Sequence, residues 1–115
     1  VDYKMPETFK ILGQLAPNAN TTANIYTVPA ATQAVVSTIV VVNRNSNANC
    51  TYRIAAQQAG AALANQHYIA YDAPIAALDT VALTLGITLG NTDVISVYSA
   101  NANLSFSVFG TEITA

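Results

Sequence analysis

From Thr8 onward the sequence breaks into short runs rich in Val, Ile, Thr, Tyr and Phe, each stopped by a cluster of Asn, Gly, Asp or Pro. Runs of this kind, recurring roughly every 10–15 residues, suit pleated, half-buried strands and are too short and too β-branched for helices. The chain must therefore hide its apolar residues between sheets. We read it as all-β: an antiparallel β-sandwich, jelly-roll or immunoglobulin-like, of about 7–8 strands.

The runs differ in how they are covered. Residues 8–15, closed by Pro17-Asn18, and residues 24–28, closed by Pro29, read as edge strands. Residues 34–43 are apolar on both faces over Ile39-Val40-Val41-Val42. That pattern predicts a central strand covered on both sides or one buried in a subunit contact, making Ile39 and Val41 candidate partner-binding residues. The turn at residues 45–49 predicts a hairpin returning through residues 51–56, with Tyr52 and Ile54 facing in. Gly60 and Gln57-Gln58 interrupt residues 55–64, which read as a loop with a turn of helix. Residues 66–72 form a strand turned by Asp72-Ala73-Pro74, and Val81, Leu83 and Leu85 alternate along a half-buried strand ending at Gly86. Residues 94–99 and 104–109 predict a terminal hairpin, and in the second run Leu104, Phe106 and Val108 alternate with Ser105 and Ser107.

Composition narrows the function. Charged residues make up only 9% of the 115 residues, and the net charge is −2, against a usual charged share of about 25%. Solubility falls to Asn, Thr, Ser and Gln. Such a surface lacks the repulsion that keeps copies apart, so self-association or assembly with a partner is expected. Four Lys and Arg cannot make the basic stripe that nucleic-acid binding needs. The longest aliphatic run, residues 39–42, falls far short of the roughly 20 residues of a spanning helix. The first residues show no apolar stretch behind a basic one, so no secretory signal is expected in this chain. Short loops and even composition predict one domain over residues 1–115.

Chemistry finds little to work with. Cys50 and His67 are single, which excludes an intramolecular disulfide and the usual zinc sets. Asp72 lies five residues beyond His67, on the opposite face of an extended strand. Asp79, Asp93 and Glu112 are dispersed, and Asp at strand starts serves local backbone bonds. No catalytic, cofactor-binding or metal-ligating residue is assigned, no cofactor is expected, and the chain is read as non-enzymatic. Tyr26, Tyr52, Tyr68, Tyr71 and Tyr98 suit either a sugar-stacking platform or, more commonly, a core with hydroxyls at its rim.

Residues 1–9 carry a separate expectation. Tyr3, Met5 and Phe9 supply apolar anchors among Asp2, Lys4 and Glu7, while Pro6 favours an extended path. We read this segment as an arm lying on a neighbouring protein, with Tyr3, Met5 and Phe9 binding the partner.

Three stretches carry a resemblance: Ile25-Tyr26-Thr27-Val28-Pro29-Ala30-Ala31-Thr32, the segment from Gly60 to Asp72 that includes Asn65-Gln66-His67-Tyr68-Ile69-Ala70-Tyr71, and Leu104-Ser105-Phe106 with Phe109-Gly110-Thr111-Glu112-Ile113. These strings resemble a family of small tailed-bacteriophage virion structural proteins, over nearly the whole chain. The resemblance implies a capsid decoration (cement) protein on the capsid surface, a homotrimer bound to the major capsid protein. The alternatives are a tail, collar or baseplate subunit and, from another class, a carbohydrate-binding adhesin module.

Overall fold

The computed structural model describes residues 6–114. Eight strands form among them: β1 (Glu7–Leu15), β2 (Thr21–Thr27), β3 (Thr32–Asn43), β4 (Cys50–Gln57), β5 (Tyr68–Ile75), β6 (Thr80–Leu89), β7 (Val94–Ser99) and β8 (Leu104–Thr114). They make two four-stranded sheets, β1-β8-β3-β6 and β2-β7-β4-β5, antiparallel throughout. The chain crosses between sheets at almost every turn, and β4 and β5 are the one consecutive pair sharing a sheet. This is the strand order of a jelly roll and differs from the immunoglobulin arrangement.

The crossing order overturns both expected hairpins. β3 pairs with β6 and β8, β4 with β5 and β7, so the turn at residues 45–49 is an arch between sheets. The turn between β7 and β8 is an arch as well. Alternation tells which face of a strand is apolar, and two inward faces are satisfied equally by lying side by side or opposite one another. Two expected stops are also passed over. Pro74 lies inside β5, tolerated because β5 is an edge strand. Gly86, at φ +62°, lies at a bulge within β6, where the pairing with β3 shifts between Val36 and Thr38. The stretch before β5 holds two short 3-10 turns, Gln58–Gly60 and Asn65–His67.

The core lies between the sheets. Ile39 sits between Val108 and Leu83, and Val41 between Phe106 and Val81, on the inner side of the first sheet. From the second sheet Tyr52 meets Phe106 edge-on, ring centroids 6.3 Å apart at 73°. Ile54, Ile95 and Val97 complete that side, all at most 1% exposed. Each such side chain contributes about 1.5–3 kcal/mol by leaving water.

The expected partner role of Ile39 and Val41 is corrected by this packing: both are 0% exposed within their own chain, so no partner can reach them. In a run of four apolar residues the inward parity is ambiguous, and the sandwich selects Ile39 and Val41 as the inner pair. Val40 and Val42, half-buried, face out.

The arm is corrected in part. Glu7, Thr8 and Phe9 belong to β1 and pair with Ile113, Glu112 and Thr111, because β8 runs on to Thr114 and offers them a ladder. Even Pro6, which has no N–H to satisfy, accepts a bond from the Thr114 N–H at 3.1 Å. Tyr3 and Met5 lie outside the described residues.

Candidate interaction surfaces

The outer side of the first sheet follows from register, since directly opposed residues share a face. Phe9, Thr111 and Val35 form one row across β1, β8 and β3; Ile11, Phe109 and Thr38 form the next. Further along, Gln14, Ser107, Val40 and Ala82 lie together. Phe9 is 79% exposed and Ile11 50%. Of the outward residues on these strands only Glu7 is charged, at one end, while Arg44 sits at the other, its guanidinium bonded to the Ser105 hydroxyl and the Ala102 carbonyl. The middle is an apolar and hydroxyl-bearing sheet surface. Phe9, singled out from sequence, belongs to it as a strand residue, and sequence reading missed Ile11 and Phe109.

The outer side of the second sheet has a different chemistry. Arg53 of β4 lies 4.2 Å from the Tyr71 ring centroid and 4.4 Å from that of Tyr98. Its Nε and Nη2 donate to Asp72 at 2.7 and 3.3 Å, and that bond holds the guanidinium proton still more firmly than usual. Tyr98 donates to Asn20 at 2.9 Å, and Tyr68 meets Tyr71 at 4.8 Å and 82°. Of the five tyrosines considered from sequence, Tyr68, Tyr71 and Tyr98 thus gather outside, whereas Tyr26 and Tyr52 are buried.

The remaining titratable groups serve the scaffold. His67 accepts the Ala64 N–H on Nδ1 at 2.9 Å and so closes its own turn. Asp93 accepts the Ala59 and Gly90 N–H groups, at 2.8 Å each. Cys50 is buried, its sulfur 3.8 Å from the Ser99 hydroxyl. Among the described residues no three His, Cys, Asp or Glu side chains gather as metal ligands do, and no helix is long and apolar enough to cross a membrane.

One polar contact ties the sheets together at the β1 and β2 flank. Tyr26 donates to Glu112 at 2.6 Å, and the Lys10 ammonium lies 3.1 Å from the other Glu112 oxygen. The Tyr26 bond, helped by Lys10, holds the Glu112 carboxyl below its ordinary range despite burial. Burial, then the bond to Glu112, pushes the Tyr26 phenol up, and burial does the same to Tyr52. A lowered carboxyl contributes stability above the unfolded value of about 4.3 that is lost as pH falls through the folded one. A raised phenol contributes stability below about pH 10 that is lost as pH rises further. Urea midpoints should therefore be level at neutral pH and fall on both sides. Tyr26→Phe should shrink both falls, leaving the Tyr52 share of the alkaline one. An unchanged pH profile in that variant would contradict the contact.

No family model matches the chain, and no curated protein matches it. Solved structures do. A chain of infectious bursal disease virus, Gx strain, aligns over 94% of this chain and 31% of its own length at 8% identity, TM-score 0.51. The capsid asymmetric unit of cyanophage Pam1 aligns over 100% of this chain and 89% of its own at 13% identity, TM-score 0.47. A pentameric capsid protein from metagenomic phage sequences aligns over 93% and 64% at 18% identity, TM-score 0.40. The chain thus spans about a third of the bursal disease virus chain and under two thirds of the pentameric one. At these identities the likeness concerns the fold, and the first of the three carries it: this chain is a two-sheet antiparallel β-sandwich with the strand order of a jelly roll.

Proposed function

We propose that the chain is a non-enzymatic virion structural subunit, a decoration protein that binds the major capsid protein shell as a homotrimer. The observation that carries this is the nearly uncharged outer face of the first sheet, where Phe9 and Ile11 stand exposed beside half-buried Val35 and Phe109. A sheet surface of this composition gains free energy by being covered. The fold shared with a viral chain and the phage-like strings of the sequence support the virion setting. The shell contact is assigned to this face. Contact between copies is assigned to the β6 edge, ten residues without charge or proline, with Leu85 at 43% exposure within it and Leu78 at 66% just before it. Edge strands that do not pair normally carry such protection.

Mass spectrometry of purified particles should find the chain, and native mass spectrometry of the free protein should find a trimer. The double variant Phe9→Asn, Ile11→Asn should lose particle retention at least about tenfold, since covering each side chain is worth about 1.5–3 kcal/mol. Its melting temperature should barely move, because both residues are already exposed in the free chain. Full retention would remove the first-sheet face from the contact. A particle reconstruction placing the chain on the tail would replace the decoration reading with that of a tail, collar or baseplate subunit.

A further inference from the structure

We infer that the outer side of the second sheet is a binding site for a neutral carbohydrate, centred on Tyr71 and built by a bulge in β5. Opposite Arg53 the pairing of β4 with β5 slips: Tyr52 opposes Ala73 and Ile54 opposes Ala70, leaving Tyr71 and Asp72 together against one residue. Asp72 takes φ +50° to do so, a conformation that Asp tolerates better than most side chains. Bulges on edge strands re-aim side chains, and this one brings Tyr71 and Asp72 to the same guanidinium.

What results is a corner with defined chemistry. Tyr68 and Tyr71 stand nearly perpendicular and, with Asn65, line a cleft of about 280 Å³. Tyr71 is 57% exposed. Arg53 is fixed by Asp72 and by the two rings it lies over, and its Nη1 has no hydrogen-bond partner among the described residues. Asp72, exposed, keeps acceptor capacity, and the Asn65 amide can donate and accept. The cleft therefore offers an aromatic surface and an amide, while the Arg53–Asp72 pair holds a fixed donor and a fixed acceptor against Tyr71.

Charge decides between ligand classes. Arg53 is neutralised by Asp72, so the cleft has no excess positive charge to hold a phosphate or sulfate. Arg53 covers one face of Tyr71, so no full aromatic cage is left for a cationic ligand. A pyranose ring matches what remains, with a C–H face for the Tyr68 and Tyr71 surface that lines the cleft and hydroxyls for Asn65 there and for the Arg53–Asp72 pair beside Tyr71. The volume lies just below the range of pockets that enclose drug-sized ligands, so one ring of a longer glycan is the unit bound.

The test uses the isolated full chain, labelled with ¹⁵N, and four probes: maltotriose, cellotriose, chitotriose and galactobiose. At least one should give saturable shifts at Asn65, Tyr68, Tyr71 and Arg53. Tyr71→Ala should weaken that binding at least about tenfold, roughly 1.4 kcal/mol, with the melting temperature within a few degrees of the parent. Tyr71→Phe should retain most of it, and Phe9→Asn on the opposite sheet should leave it unchanged. The proposal is overturned if none of the probes gives saturable shifts by about 30 mM, where even roughly −2 kcal/mol of binding would register. It is equally overturned if the shifts map elsewhere or survive Tyr71→Ala. Because no particle is needed, this result and the virion result can fail separately.

Discussion

Gly110→Ala is expected to cost at least about 3 kcal/mol and to leave the chain largely unfolded at physiological temperature. Gly110 lies in β8 between Lys10 of β1 and Val36 of β3. A Cβ placed there would stand 2.0 Å from the Val35 carbonyl oxygen and 3.0 Å from the Val36 Cα. Both obstacles are backbone, so no rotamer change relieves them, and the ladder on one side of β8 must open. The approach is close because β3 bulges at this point: Ser37 is the extra residue between Val36 and Thr38, and its hydroxyl donates to the Phe109 carbonyl at 3.1 Å. Overpacking typically costs about 1–3 kcal/mol where side chains can give way, and here nothing can. For a domain of this size 3 kcal/mol lowers the melting temperature by roughly 12–24 °C. Gly90→Ala is the control, since a Cβ there meets only Asp93 Oδ2, at 3.7 Å. Chemical denaturation of the two variants beside the parent decides it. Equal stability of the Gly110 variant would mean that β8 is not seated on β3 in this register.

The same bulges show what the sequence made legible. Alternation located the strands and the inward faces of β4 and β8, because side-chain direction in a strand depends only on residue parity. Parity fails where a residue is inserted. Tyr68 and Tyr71, three apart, belong on opposite faces of a regular strand, and only the slips in the β4 and β5 pairing bring them together around the cleft. Gly86 looked like the end of a strand for the same reason: its positive φ serves equally well for a turn or for a bulge within β6. Neighbour relations were less legible still, as Tyr52 and Phe106 could be recognised as inward-facing but not as members of facing sheets. Phe9 was visible as an apolar residue among charges. Its companions Ile11 and Phe109 were not, since a sandwich-forming sequence gives no local sign of which sheet face its own chain leaves uncovered.

Asn43→Asp is expected to destabilise the chain by on the order of 3–5 kcal/mol at neutral pH, the range seen when a buried charge is left without a partner. Asn43 ends β3 at 0% exposure, where the chain leaves one sheet for the other. Its amide nitrogen donates to the carbonyls of Ala48, Ile75 and Ala76 at 3.0, 3.4 and 3.3 Å, and its oxygen accepts the Asn45 N–H at 3.0 Å. One side chain thus stands in for the ladder partners that the arch and the end of β5 lack. A carboxylate keeps the acceptor side but turns a negative oxygen toward three carbonyls, in a place water does not reach. Burial and those carbonyls must raise the folded carboxyl above the unfolded value of about 3.9. The stability deficit is therefore least below the unfolded value, where both states are protonated and only the lost amide bonds count, and grows as pH rises toward the folded one. The Glu112 contribution runs in the opposite sense but is common to parent and variant, so it cancels in their difference. Asn43→Ala separates the two causes. It removes the bonds without adding charge and should cost about 1–3 kcal/mol through the unsatisfied groups it leaves, independent of pH. Urea unfolding of all three proteins between about pH 3 and 8 measures both quantities. If the deficit of the Asn43→Asp variant is constant across that range, the carboxylate has reached solvent, and the arch is not closed by a buried amide.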